Sequence, residues 1–249
     1  VQHTGVIPFL KKFESTVRCC TQNGIRGGSA TVHFPIWHQE IEDILVLKNN
    51  KGTEDNRVRK LDYSIQISKL FYERFIEEEI FKPLGMLSAS VGMDSFLEDP
   101  DATAPHRLVR GNWRTTTTNP AYYSVAPASG INASIFDMTM WVRANLGAFP
   151  EVLSANFLSE LHTPIISTPH GSYFNRWTGL EKAYYATGWR VFDFKGVRAI
   201  HHGGGVRGFR SEMALIPEAN VGVILLFNAE SNLANDVVPT FLNNLTDPI

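Results

Sequence analysis

One run constrains this chain more than any other: GWRVFDFKGVRAIHHGGGVRGFRSEMALIPEANVGVILLFNA, residues 188–229, where apolar residues alternate between short turn signals. A period of two puts Trp189 and Val191 on one face of a strand and Phe192 and Phe194 on the other. The chain turns at Lys195-Gly196 and returns through Val197, Ala199 and His201. Two further strands are joined at Pro217-Glu218-Ala219-Asn220. The pattern predicts a four-stranded antiparallel meander that is apolar on both faces and needs helices packed on it.

The helices are legible on either side. From about Leu61, apolar positions at helical spacing (Ile65, Leu70, Phe71, Phe75, Ile76 and Ile80) predict a helix that Pro83 and Gly85 end. A long loop follows from Asp94 to about Tyr122. Ser134 is the expected N-cap of a second helix, with Ile135, Met138, Trp141, Val142 and Leu146 as its buried stripe and Gly147 as its stop. A short third helix is expected from Ser154 to His162. The last helix, NLANDVVPTFLNNL, carries Pro239, which should kink it or mark its first turn. The fold class is therefore α+β, an antiparallel sheet flanked by helices. One domain over residues 1–249 is expected, in which 1–60 is an atypical segment and 61–249 holds the helices and sheet. In the atypical segment, Ser29–Gln39 and Ile41–Gly52 read as two strands.

Charge and cysteine content narrow the function classes. The net charge of -2 comes from 23 basic and 25 acidic residues spread along the chain with no block of one sign, so nucleic acid and anionic lipid are not the expected partners. No apolar run reaches the roughly 18 residues of a membrane span, and VQHTGVIPFLKKFE lacks the order of a signal peptide. Cys19 and Cys20, adjacent in sequence, exclude a disulfide framework and read as buried or merely tolerated thiols. No motif calls for a cofactor.

His202-Gly203-Gly204-Gly205 follows a strand, where missing side chains let something approach the backbone: a ligand, or the wide turn itself. This stretch resembles the C-terminal hairpins of the serine β-lactamase and penicillin-binding-protein superfamily, in particular its class C β-lactamase-like and family VIII esterase-like branch. FIEEEIFKPLGM and YYSVAPASGINASIFDMTMWVRANLG are similar to two further segments of that branch, in the same order, so the resemblance covers roughly residues 68–245. It implies a β-lactamase/DD-peptidase-type fold and an acyl-enzyme hydrolase of small-molecule esters, amides or β-lactams. It also implies that His202 donates to a substrate oxygen or relays a proton, that Gly204 keeps the strand edge flat, and that the Gly205 amide joins an oxyanion hole. His201, one residue along an extended strand, should point to the opposite face and be structural. Arg207 and Arg210 flank the turn and either pair with a substrate carboxylate or are solvated. The compartment is left open: the chain reads as soluble, and relatives of this branch are often exported, so a periplasmic location is one option for a chain whose leader had been removed. The substrate and oligomeric state are not readable.

The departure from the family is in the nucleophile. Ser-x-x-Lys, which places serine and base on one helical face, occurs nowhere in the 249 residues. Ser15–Arg18 ends in an arginine, which cannot act as a base near neutral pH. Ser64 with Lys69, and Tyr63 beside them, are the remaining candidates. Tyr173-Phe174-Asn175 fits the family's Tyr-x-Asn letters but is out of order. The N-terminal part is thus expected to be shortened or rebuilt. Three readings stay open: a serine hydrolase with a displaced nucleophile, a noncatalytic binding relative, and a metal-assisted hydrolase using His33, His38, Glu40 and Asp43.

Overall fold

The computed structural model describes residues 5–22, 24, 26–169, 174 and 177–246. The chain divides into two compact units, Val1–Phe71 and Tyr72–Ile249. Where the sequence suggested one domain with an atypical start to residue 60, the division falls further on, inside a helix.

In the first unit, helix α1 (Ile7–Cys19) carries a proline in its opening turn, where no N–H is needed. Strand β1 (Thr31–Pro35) pairs in parallel with β2 (Asp62–Gln66), from Thr31 opposite Asp62 to Pro35 opposite Gln66. Leu10, Phe34, Ile44, Leu47, Val58 and Leu61 form its core. Two expectations are corrected here. Ile41–Leu45 is helical, not the start of a strand: Ile44 and Leu47, three apart, are buried while Leu45 and Val46 between them are exposed, a helical and not an alternating period. Residues 62–66 form a strand, not the beginning of the next helix, because Thr31–Pro35, distant in sequence, supplies its hydrogen-bonding partner. Both cysteines are free and exposed, not buried.

Helix α2 (Lys69–Ile76) continues through a wide π-helical stretch, Glu77–Phe81, into Lys82–Leu84, and Gly85 closes it at φ 72°. Phe81 and Leu84 enter the second unit's helical core. The expected loop after residue 94 contains a short helix, Met93–Glu98, and a hairpin, His106–Val109 with Asn112–Thr115. Helix α3 (Ile135–Asn145) starts as expected. The Ser134 hydroxyl accepts from the Asp137 amide while the Asp137 carboxylate accepts from the Ser134 amide, which satisfies two N–H groups the helix cannot. Helix α4 (Ala155–His162) is capped by Ser154.

The sheet has six strands, two more than the meander expected: β3 (Ile166–Ser167), β4 (Leu180–Tyr185), β5 (Arg190–Phe194), β6 (Val197–Val206), β7 (Phe209–Ile216) and β8 (Val221–Phe227), in the antiparallel order β8-β7-β6-β5-β4-β3. Lys195 and Gly196, at φ 46° and 78°, make the β5–β6 turn. Trp189, Val191, Ile200, Met213 and Leu215 cover one face and pack with Met138, Trp141 and Val142 of α3. Phe192, Phe194, Ala199, Ala214 and Ile216 cover the other and pack with Val238 and Leu242 of helix α5 (Ala234–Thr246). Pro239 lies inside α5, buried. Helices plus this antiparallel sheet make the unit α+β. Among the described residues no helix is long and apolar enough to cross a membrane.

Candidate functional site

Register builds the site. Strand β6 is longer than β5: Arg190 pairs with His201, and beyond it His202 to Val206 are paired only with β7. Half the amides of an overhanging strand point away from its single partner. His202 lies opposite Met213, and Met213 opposite Ile224. Trp189, just before β5, sets its indole edge-to-face with the His202 ring, centroids 6.3 Å apart. Trp189, His202, Met213 and Ile224 thus form a row across the sheet, and with Met138, Trp141, Gly188 and Ser211 they line an open depression of about 240 Å³. Loss of water around the His202 ring, then the neighbouring His201 and Arg190, hold its pKa below the ordinary 6.5. Near neutral pH it is an uncharged imidazole, able to donate one hydrogen bond and accept another.

His201 faces the other way. It is 1% exposed, stacked on Phe192 at 5.5 Å and set edge-on to Trp177 at 5.0 Å. Its Nε2 lies 3.0 Å from Glu212 Oε2, the other carboxylate oxygen accepts from Arg210 at 2.8 Å, and Arg210 also donates to Asn235. Burial lowers the His201 pKa, and Glu212 opposes that. Arg210, read as a turn residue near the cleft, belongs to this buried network.

The glycines answer to their cross-strand partners. A methyl on Gly203 would sit 2.5 Å from Glu212 Oε2, one on Gly204 2.7 Å from Ser211 Oγ, and one on Gly205 3.1 Å from Arg210 Cδ. Those three side chains belong to the residues directly opposite in the ladder. So the bare backbone makes room inside the sheet, for Glu212 above all.

The other sequence candidates are elsewhere. Tyr63 and Ser64 lie on β2 and Lys69 opens α2, all in the first unit, whereas His202, Gly204, Gly205 and Arg207 are in the second. Ser64 stands opposite His33 in a strand, not at a helix start. The Tyr63 hydroxyl donates to the Val58 carbonyl at 2.9 Å, and burial, with Glu14 and Asp62 nearby, pushes its pKa up to about 12. A phenol so placed is a poor base. Arg207 is exposed at the β6–β7 turn and does not line the depression. Tyr173 and Asn175 fall outside the described residues. Among the described residues no three His, Cys, Asp or Glu side chains converge as a metal site. Of the metal candidates, His38 Nδ1 accepts the Glu40 amide at 3.1 Å and Glu40 accepts the Val6 amide at 2.6 Å. The sequence reading missed the depression's walls. Met213 and Ser211 reach it through cross-strand register, and Met138 and Trp141 come from a helix whose docking no local pattern reveals.

The comparisons with known proteins point to two families, whose matches overlap over residues 67–100 across the unit boundary. The β-lactamase family model matches residues 67–246, well over half of the chain. The chain belongs to the β-lactamase family. The superfamily is that of serine hydrolases and penicillin-binding proteins, and a solved relative agrees in fold. The octameric penicillin-binding protein homologue from Pyrococcus abyssi superposes at a TM-score of 0.59, with 20% identity, over 70% of this chain and 37% of its own. Residues 1–100, however, match the model of the ribonucleotide reductase barrel domain. Ribonucleoside-diphosphate reductase α subunits are similar to this chain at 64% identity over 74 residues in Buchnera aphidicola of Schizaphis graminum, 60% over 75 in Enterobacteria phage T4 and 54% over 84 in Escherichia coli K12. These matches cover 30–32% of this chain and 10–11% of each relative. The chain spans about a tenth of the length of those curated relatives. This β-lactamase-family chain therefore carries, where the sequence reading expected a rebuilt family segment, residues like those of another enzyme.

Proposed function

We propose that this chain is a β-lactamase-family binding protein that holds a small molecule in the His202 depression and forms no acyl-enzyme. The observation that supports it best is the placement of the candidate groups. Tyr63 and Ser64 precede residue 67, where the β-lactamase match begins, and Tyr63, Ser64 and Lys69 all lie in the stretch like ribonucleotide reductase. From residue 67 to 246 no serine has a lysine three residues on. On this proposal residues 72–249 are the β-lactamase-like module and the first unit is a separate module.

The hydrolase reading keeps one foothold, which is that Ser211 shares the depression with His202. An imidazole below its ordinary pKa is unprotonated at neutral pH and can serve as a general base. Incubation with a fluorophosphonate and with a penicillin, followed by intact-mass measurement, separates the two. Unmodified mass and no turnover of a chromogenic ester are expected. An adduct mapped to Ser211 or Ser64 would overturn the proposal and name the nucleophile.

A further inference from the structure

On the reading that the depression binds a small molecule, we infer that its guest is a neutral aromatic compound with one hydrogen-bonding group, and not a carboxylate. The walls are two indoles, Trp141 and Trp189, two thioethers, Met138 and Met213, and Ile224, all surfaces that favour a flat ring. The polar groups among the lining side chains are few, the His202 ring, the Ser211 hydroxyl and the indole N–H groups of Trp141 and Trp189, and the last three carry no charge at any working pH. A dry cavity of about 150 Å³ holds benzene in another protein, so about 240 Å³ accommodates one ring with a short substituent.

Charge decides the rest. Arg190, opposite His201 in the ladder, lies on the far side of the sheet, with its guanidinium 5.1 Å from the Phe174 ring centroid and 5.9 Å from that of Tyr185. Arg210 is held by Glu212 and Asn235. Arg207 is exposed beyond the overhang and lines no part of the depression. A carboxylate entering here would lose water and gain no cation, a cost that an amide or hydroxyl bonded to His202 avoids.

The test uses the whole chain at pH 7.5, titrated with benzamide, benzyl alcohol and benzoate and read by tryptophan fluorescence and the His202 imidazole proton shift. Benzamide and benzyl alcohol should shift the His202 signal, with benzoate about tenfold weaker, since a carboxylate that gives up part of its water beside apolar walls with no cation loses at least that much. Met138→Lys, which supplies a cation at the rim, should raise benzoate to the level of benzamide with an unchanged far-UV circular dichroism spectrum. Ile224→Lys tests the same point from the sheet if Met138→Lys does not fold. Benzoate binding as tightly as benzamide to the unaltered protein overturns the inference alone. No shift with any of the three compounds overturns the binding reading as well, whatever the acylation experiment shows.

Discussion

His201 and His202 are neighbours in sequence and opposites in circumstance. His201 is sealed among Phe192, Trp177 and Glu212, while His202 borders an open depression with Trp189 and Met213. A strand sends successive side chains to opposite faces, so one peptide unit separates a structural imidazole from one available to a ligand. The network Glu212–His201–Arg210 also shows why the two faces cannot be exchanged. A carboxylate 1% exposed is tolerable only where its partners are already in place.

The largest effect should come from Glu212→Ala. It leaves His201 and Arg210 without the acceptor between them, and a loss of about 3 kcal/mol in urea unfolding is expected. A loss under about 1 kcal/mol would mean the buried face does not depend on that carboxylate. Gly203→Ala comes next, at about 2 kcal/mol, because its methyl would collide with Glu212 Oε2. Paired with Glu212→Ala it should cost less than alone, a coupling that a double-mutant cycle measures.

The pH dependence is smaller and has a definite sign. His201, His202 and His162 all have pKa values lowered by burial from 6.5, so the unfolded chain binds protons first. Their contribution is complete above 6.5 and is lost as the pH falls through the lower folded-state values. Melting temperature should hold between pH 7 and 8 and decline towards pH 5, and a rise on acidification would contradict the burial of His201, the most enclosed of the three. The smallest effect on stability belongs to His202→Ala, within about 0.5 kcal/mol. This change should nevertheless abolish ligand-induced shifts in the depression, which separates the two histidines by function.

Where the determinants were local, the sequence disclosed them. Ser134, Gly147, Lys195-Gly196 and the split of Trp189 and Val191 from Phe192 and Phe194 depend on a turn or a period within one element, and the structure places them as read. The parallel β1–β2 pair was not legible, because each strand's partner is remote in the chain. Nor was the role of Glu212. A charge within FRSEMALI is conspicuous, but its partners are chosen by strand register and by the arrival of α5. The three glycines were ambiguous for the same reason, since only cross-strand neighbours reveal what fills the space they leave.

Helix α2 and its continuation to Leu84 run through the stretch where the two family likenesses overlap, residues 67–100. A helix closes its hydrogen bonds within four residues along its own chain, so side chains can change allegiance along it without breaking any pairing. The wide turn at Glu77–Phe81 contains one residue more than an α-turn and rotates everything after it by about 100°. Tyr72 and Ile76 before that turn, Ile80 within it, and Phe81 and Leu84 at and beyond its end all pack against one helical core. A stretch whose backbone pairs only with itself can carry both likenesses without interrupting the pairing of any strand.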